Sequence, residues 1–501
     1  MIPISFEKEP KTALRIVTLI SATGIGTFMS SVDATITTIS LPVIKDKLGV
    51  ELHLVQWVIL TYLLTLIAFT TIFGDFGDRF GNKRVFQIGL FIFSIGSLLC
   101  SLSNTLTFLI LSRTLQALGA AATLANCTAL ITKFTTTENR GTAIGLNTLI
   151  VALGVTLGPI IGGLLTDKWG WPSIFLINVP LGILGLIWVQ LAIPSTPSSS
   201  YDKKGDALGS ISFVLFMFSS IGSLTFFVET NLHNNIMWGF IALGVAIPAF
   251  IVFVWWEKRV ENPAIDFKMF KNRKYAYGIL VSLSAYVGLS VLLVQLPFYL
   301  QFENGMDLTV TETGLVILGA PLAMAVVGPI SGKLSNKIDA RIIATVGLIG
   351  IAIALGFFSI VLKPELPMWM LYLTSVIIGA SLGAFISPNS NSVMTSAPKE
   401  KLGVASGLLN ISAQVGFTLG TALSTAVLSV SRILFQKYNG GKLEDVVNYI
   451  PSLKVVSWTF LEDVAIYISS LKIVFWTFVV MILLAATISY LRGPRDKNAL
   501  Y

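Results

Sequence analysis

Charged side chains are scarce in this sequence: 12% of its 501 residues are Asp, Glu, Lys or Arg, against 54% hydrophobic. Soluble domains carry about 25% charged residues and must keep their surface wet, so the composition excludes an ordinary water-soluble fold. Cysteine is nearly absent. Cys100 and Cys127 both lie inside apolar runs, read as small buried hydrophobes and carry no information about redox compartment. Histidine is limited to His53 and His233, near helix ends, so neither is placed for a central proton relay. There is no metal-ligand cluster and no Ser-His-Asp set, which argues against an enzyme and calls for no cofactor. Gly332-Lys333 lacks both the Ser/Thr and the upstream glycine of a phosphate-binding loop, which disfavours an ATP-driven pump. The net charge of +8 is dispersed over short loops and forms no stripe, so no nucleic-acid partner is expected.

What the sequence has is long apolar runs. Fourteen blocks are separated by polar connections: 14–42, 54–74, 85–103, 106–132, 141–166, 172–194, 207–228, 236–256, 275–302, 312–333, 342–362, 368–394, 403–431 and 471–491. About 20 residues of helix cross roughly 30 Å of hydrocarbon, so the expected fold class is an all-α membrane protein with fourteen transmembrane helices. The first block, about Ala13 to Ile44, is far longer than the apolar part of a cleaved signal peptide and reads as the first membrane helix. With the N-terminus in the cytoplasm, 24 of the 34 Lys/Arg fall on the cytoplasmic side and nine outside, leaving Arg113 within a helix. Positive charge favours the cytoplasmic side. The count therefore supports a multi-pass protein of the cytoplasmic membrane with both termini inside.

Glycines at 141, 145, 154 and 158 recur at 403, 407, 416 and 420, each 262 positions on. A constant offset argues for two related halves, as transporters commonly have. It equates the fifth helix with the thirteenth, two more than a six-helix repeat would give. The expected organisation is a six-helix bundle over 1–194, a linker with two inserted helices over 195–272, and a second six-helix bundle over 273–501. The last includes a long outer loop, 432–472, with a turn signal at Tyr438-Asn-Gly-Gly441; an amphipathic hairpin and a partly ordered loop are both open there. Glu303, Asp307 and Glu312 at nearby helix ends read as a solvated loop more readily than as a cation gate.

Two charges stand inside helices. Asp33 lies in the first and Arg113 in the fourth, at similar depth when about 1.5 Å is counted per residue. An unpaired buried ion is expensive and a pair is tolerable, so the two are expected to face one cavity and interact. Burial favours the neutral acid and a guanidinium favours the carboxylate, so moving Arg113 would capture or release a proton at Asp33. A static pair would use the same residues. Gly154, Gly158, Gly162 and Gly163, with Pro159 to favour a bend, form a close-packing seam that could slide or stay fixed. In the second inner loop, Gly74 and Gly81 permit a tight turn, while Asp78, Arg79 and Arg84 could latch an inner gate, Asp78 by capping or by pairing. Polar residues within helices, Gln56, Tyr62, Asn126, Asn147, Gln295, Tyr299, Asn410 and Gln414, are candidates to line a substrate cavity or to bond between helices.

These segments resemble, in order, motifs of the major facilitator superfamily. Gly74–Arg84 is similar to its loop motif and Gly154–Gly163 to its antiporter motif. Arg113, Gln116 and Gly119 are similar to its fourth-helix motif. Asp33, Thr35, Leu41 and Pro42, with Trp171 and Phe175–Gly182, resemble the 14-helix drug:proton antiporters. Ala117, Asn82 and Phe76 depart from the usual glycine, basic residue and leucine. The resemblance implies a major-facilitator fold and a proton-coupled, alternating-access antiporter that exports hydrophobic or cationic drug-like compounds, as in antibiotic resistance. Its implied partners are a small-molecule substrate, protons and the lipid bilayer. The proton gradient replaces any cofactor, and the expected working unit is a monomer. An exporter or symporter of a specific metabolite is the alternative.

Overall fold

The computed structural model describes residues 11–135, 137–194, 207–228, 232–260, 267–302, 306–335, 337–397, 402–438 and 458–493. Among them there is no strand. The helices are α1 (Lys11–Leu48), α2 (Leu52–Val55), α3 (Trp57–Phe80), α4 (Asn82–Ser101), α5 (Leu106–Phe134), α6 (Thr137–Trp169), α7 (Ser173–Leu176), α8 (Asn178–Ala192), α9 (Ala207–Val228), α10 (Leu232–Glu257), α11 (Arg273–Leu300), α12 (Val310–Leu334), α13 (Ala340–Val361), α14 (Met368–Ser396), α15 (Leu402–Tyr438) and α16 (Trp458–Leu491). Thirteen spans are long and apolar enough to cross a membrane, and α9 contributes the shorter apolar stretch Ile211–Ser223. With α2–α3 and α7–α8 each counted as one crossing, this is the fourteen-helix arrangement expected from the apolar blocks. These helices are apolar around most of their circumference, as a lipid-embedded helix must be.

The chain forms two compact units. The first comprises Met1–Glu51, Trp57–Leu215 and Ala249–Ala264; the second comprises Leu52–Gln56, Phe216–Pro248 and Ile265–Tyr501. Thus α2 belongs with the second unit, and the inserted pair α9–α10 is divided between the two.

Within each unit, glycines let helices approach backbone to backbone. In the first, α6 lies on α1: a Cβ on Gly154 would stand 2.8 Å from Ser31 Cβ and 3.0 Å from Phe28 O, and one on Gly158 would stand 3.2 Å from Val32 O. Gly162 faces Ile36 the same way, and Ser40 and Thr166 hydroxyls meet at 2.8 Å farther along. In the second, α15 lies on α11: Gly416 faces Leu283 and Tyr286, and a Cβ on Gly420 would stand 2.8 Å from Val287 Cα. Two of the four glycine pairs at the 262-residue offset therefore do the same job in both units. Gly407 faces open space, and the side-chain surroundings of positions 141, 145 and 403 lie outside the described residues.

Two local expectations are corrected. The segment 74–84 is not an open loop: α3 continues through Gly74 and Asp78 to Phe80, α4 begins at Asn82, and the whole reversal falls on Gly81 at φ 97°. Only glycine adopts that angle without strain, so a single residue suffices. The outer segment 432–472 is not one long loop: α15 runs to Tyr438 and α16 starts at Trp458, because an apolar run carries the helix through Lys472. The turn signal at 439–441 lies outside the described residues. Glu312, exposed in the first turn of α12, forms a capping box with Thr309, whose hydroxyl accepts from Glu312 N at 3.2 Å while Glu312 Oε2 accepts from Thr309 N at 2.9 Å. Glu303 lies outside the described residues.

Candidate functional site

Six helices of the first unit build the cluster around Asp33. It sits in α1, 0% exposed, and Arg113 reaches it from α5, 1% exposed. Arg113 Nη1 donates to Asp33 Oδ2 at 2.5 Å and to Gln116 Oε1 at 2.6 Å. Arg113 and Gln116, three residues apart, share one helix face, so the pair acts as a single fork. Gln116 Nε2 donates to Asp33 Oδ1 at 2.8 Å and to Ser97 Oγ of α4 at 2.7 Å. Asn178, the first residue of α8, donates through Nδ2 to Asp33 Oδ1 at 3.1 Å. Asp33 thus accepts from three donors on two helices. Arg113 Nε is held by Val58 O of α3 at 3.1 Å, and its guanidinium carbon lies 4.3 Å from the Tyr62 ring centre and 5.4 Å from that of Phe175. Two aromatic faces complement the positive charge where water is excluded.

This arrangement stabilises the carboxylate by hydrogen bonds and an opposite charge, and the guanidinium by an ion pair and two aromatic faces. Close by, Asn178 Oδ1 is buried without a hydrogen-bond partner, while the Tyr62 and Ser30 hydroxyls interact with each other.

The remaining sequence candidates fall into separate places. Tyr62 lies under Arg113 rather than on an open cavity wall. Asn126 ties α5 to α3, donating to Phe73 O at 3.0 Å and accepting from Asn82 Nδ2 at 2.9 Å; Lys133 Nζ donates to Asn82 Oδ1. Asn82, which departs from the family's basic residue, therefore links Lys133 to Asn126. Asn147 accepts from Thr27 Oγ1 at 3.1 Å. Arg79 and Arg84 are exposed, and the side chain of Asp78 lies outside the described residues. Pro159 and Gly163 are buried within α6, which runs through the proline as one helix. In the second unit, Gln295 Nε2 donates to Ser424 Oγ at 2.9 Å, and Thr425 Oγ1 donates to Gln56 Oε1. Gln56 Nε2 and Gln295 Oε1 remain buried and unpartnered. Tyr299 OH donates to Lys363 O at 2.6 Å, and Gln414 Oε1 is buried without a partner. Asn410 lines a cavity of about 150 Å³ between α11, α14 and α15, with Ser282, Tyr286, Asn389 and Ser390.

Sequence reasoning passed over Asn178, Ser97 and the Val58 carbonyl. Asn178 stood inside the quoted Phe175–Gly182 segment, and its position at a helix start beside Pro180 was the available signal. The seams also locate Asp33's counterpart. Phe28 and Leu283, Val32 and Val287, and Thr35 and Ser290 contact equivalent glycines, each pair 255 positions apart. The same shift carries Asp33 to Gly288, which packs on Ile482. The carboxylate therefore belongs to one half of the repeat only.

Comparison with known proteins agrees with this frame. The Major Facilitator Superfamily family model matches residues 23–421. The riboflavin transporter RibZ of Clostridioides difficile is 34% identical over 415 residues, 83% of this chain and 88% of that one. The multidrug resistance protein Stp of Mycobacterium tuberculosis is 31% identical over 423 residues, 83% of this chain and 76% of that one. The multidrug export protein EmrB of Escherichia coli is 26% identical, covering 84% and 82%. Among solved structures, a bacterial homologue of the human lysosomal transporter Spinster superposes with a TM-score of 0.67 at 17% identity, covering 97% of this chain and 98% of that one. The chain, a multi-pass membrane protein of the small-molecule transporter type, belongs to the Major Facilitator Superfamily.

Proposed function

We propose that the protein is a proton-coupled antiporter of the cytoplasmic membrane, exporting hydrophobic or cationic drug-like compounds. The observation that carries this is the Asp33 cluster: a fully buried carboxylate with three donors, paired to an arginine that two other helices also hold. A purely structural role gains little from a buried ion pair, which an apolar pair of similar volume often matches or betters. A proton carrier needs a buried carboxylate, and Asp33 is one. Protonation of Asp33 removes its charge, so Arg113 keeps only Val58 O, Gln116 and the aromatic faces. The guanidinium then moves, and α3 and α5 with it. Return of the carboxylate resets the contact. Coupling follows when substrate and proton occupy the protein in turn, with the site opening alternately to the two sides as the halves 1–194 and 273–501 rearrange. The Gly154–Gly158–Gly162 and Gly416–Gly420 seams bind α6 to α1 and α15 to α11, so each half can move as a packed body. Both termini are cytoplasmic in this reading, and one chain is the working unit.

A second reading, transport of a specific metabolite, draws on the relative named a riboflavin transporter. Both are tested with purified protein in liposomes under an imposed pH gradient, following ethidium, riboflavin and internal pH together. Ethidium movement with opposite proton flux, absent in Asp33→Asn, supports drug antiport. Saturable riboflavin movement that ethidium does not compete with supports the metabolite reading. Wild-type rates in Asp33→Asn remove Asp33 from the mechanism.

A further inference from the structure

The second unit holds a buried arginine that the transport cycle above does not use. Arg492 follows the last residue of α16 and is 2% exposed. Its Nη1 donates to Asn389 Oδ1 of α14 at 2.7 Å, and Asn389 is fixed in turn by donating to Gly278 O at 3.1 Å. Nε and Nη2 are buried without a hydrogen-bond partner, and no described ion pair includes Arg492. A guanidinium presents its donors as a rigid fork suited to carboxylate or phosphate oxygens. Leaving two of its nitrogens unmatched in a dry setting is costly, so an anion is the missing partner.

A second arginine stands beside it. Arg341, in the first turn of α13, donates to Tyr490 O at 3.4 Å and lies 4.9 Å from the Tyr490 ring centre. Its Nε is 3.8 Å from Asp339 Oδ2, too far to hydrogen-bond, and has no other partner. Asp339 is committed to capping α13, accepting from Arg341 N at 2.9 Å. One carboxylate thus faces two guanidiniums, with Lys333 and Lys337 exposed in the preceding turn. Burial pushes the Arg492 guanidinium down to about 10, with Asp339 opposing and Arg341 adding, so it stays charged at neutral pH. Around these two arginines the surface is apolar: Ile338 and Ile342, flanking the start of α13, and Tyr490 and Leu491 at the end of α16 are all exposed. The positive-inside count puts this end at the cytoplasmic leaflet.

We propose that Arg492, oriented by Asn389, and Arg341 bind the phosphate of an anionic phospholipid, whose acyl chains lie along Ile338, Ile342 and Leu491. The exposed Tyr490 ring, which covers Arg341, swings aside to admit the headgroup. Basic pockets between membrane helices on the cytoplasmic side suit such headgroups, and a soluble anion alone would have no use for the apolar rim. The site is separate from the Asp33 cluster, and it stands whatever the transported substrate is.

The test uses the full-length protein, purified and delipidated, with native mass spectrometry after addition of phosphatidylglycerol, phosphatidylcholine or inorganic phosphate. Wild type is expected to retain phosphatidylglycerol about ten-fold more than phosphatidylcholine. Arg492→Gln should bring that ratio close to one, Arg341→Gln should lower it several-fold, and Lys168→Gln at the end of α6 should leave it unchanged. If Arg492→Gln does not fold, Arg341→Gln and crosslinking by a diazirine-tailed phosphatidylglycerol, expected at 338–342 and 489–492, decide the matter. Equal retention of the two lipids by wild type, or an unchanged ratio in the arginine variants, overturns the proposal. So does displacement of phosphatidylglycerol by millimolar inorganic phosphate, which would assign a soluble-anion site.

Discussion

Asp33→Asn and Arg113→Gln should damage the protein in different ways, and the difference tests whether their contact works as argued. Removing the carboxylate leaves Arg113 buried with only neutral partners: Val58 O at 3.1 Å, Gln116 Oε1 at 2.6 Å and the Tyr62 ring. Breaking a buried pair from one side costs about 3–5 kcal/mol. Arginine does not deprotonate, so this loss should be the same from pH 5 to pH 8. Removing the arginine instead leaves Asp33 with Gln116 and Asn178 as donors, at 2.8 and 3.1 Å. A buried carboxylate without its cation relieves the penalty by taking a proton. Folding then becomes linked to proton uptake, and the stability of Arg113→Gln should rise as pH falls, by up to about 1.4 kcal/mol per pH unit. The double variant removes both charges and should be more stable than the sum of the two losses predicts, with a coupling of about 2–3 kcal/mol. Thermal unfolding of the four proteins in one detergent, at three pH values, measures all of this. Additive losses, or a pH-independent Arg113→Gln, would refute the account of the pair.

Other consequences are open to simpler assays. Asn178→Leu removes one of the two donors to Asp33 Oδ1, and an unmet hydrogen bond to a buried charge should cost about 1.5–3 kcal/mol with a shifted pH profile of transport, read by unfolding and liposome flux. Gly158→Leu forces a side chain against Thr35 and Val32 and should destabilise by about 1–3 kcal/mol or block transport; Gly420→Leu should match it in the other unit, whereas Gly407→Ala, facing open space, should be silent in both assays. Asn82→Leu severs the Lys133–Asn82–Asn126 chain and should cost about 1–3 kcal/mol in thermal unfolding, while Asn82→Lys, restoring the family's basic residue beside Lys133, should be no more stable than wild type.

Much of the frame was legible because the bilayer writes it plainly. A lipid-embedded helix must be apolar along its length, so fourteen blocks stood out, and any charge left inside one had to have a partner. Asp33 and Arg113 were visible for that reason alone. Asn178 and Ser97 were not, because neutral polar residues cost little in such helices and occur in them for many reasons. Val58 contributes a carbonyl that every residue has, so no sequence could single it out. Helix ends were misplaced where charge and helix coincide: Lys472 sits inside α16 with its backbone oxygen accepting from Ser359, though a lysine ordinarily marks a loop. In the segment 74–84 the glycines suggested a tight turn, and one positive φ at Gly81 makes it while α3 runs on to Phe80, past the loop start expected at 75. The glycine repeat at 262 was readable as symmetry, and among the described residues the 154/416 and 158/420 pairs serve it.

The placement of Asp33 in one half of a twofold repeat, with Gly288 as its counterpart, has an electrical consequence. Among the described residues it is the only carboxylate buried within a span rather than at its end, where Glu257 lies. In the proposed antiport cycle, with Asp33 as the one carrier, each turn moves a single proton. Exchange of that proton for a monovalent cation moves no net charge, so the membrane voltage can neither drive nor oppose it and only the pH difference counts. Exchange for a neutral compound moves one charge, and 100 mV then contributes about 2.3 kcal/mol. Whether clamping the voltage changes the rate therefore reports the charge of the cargo, even before the cargo is known.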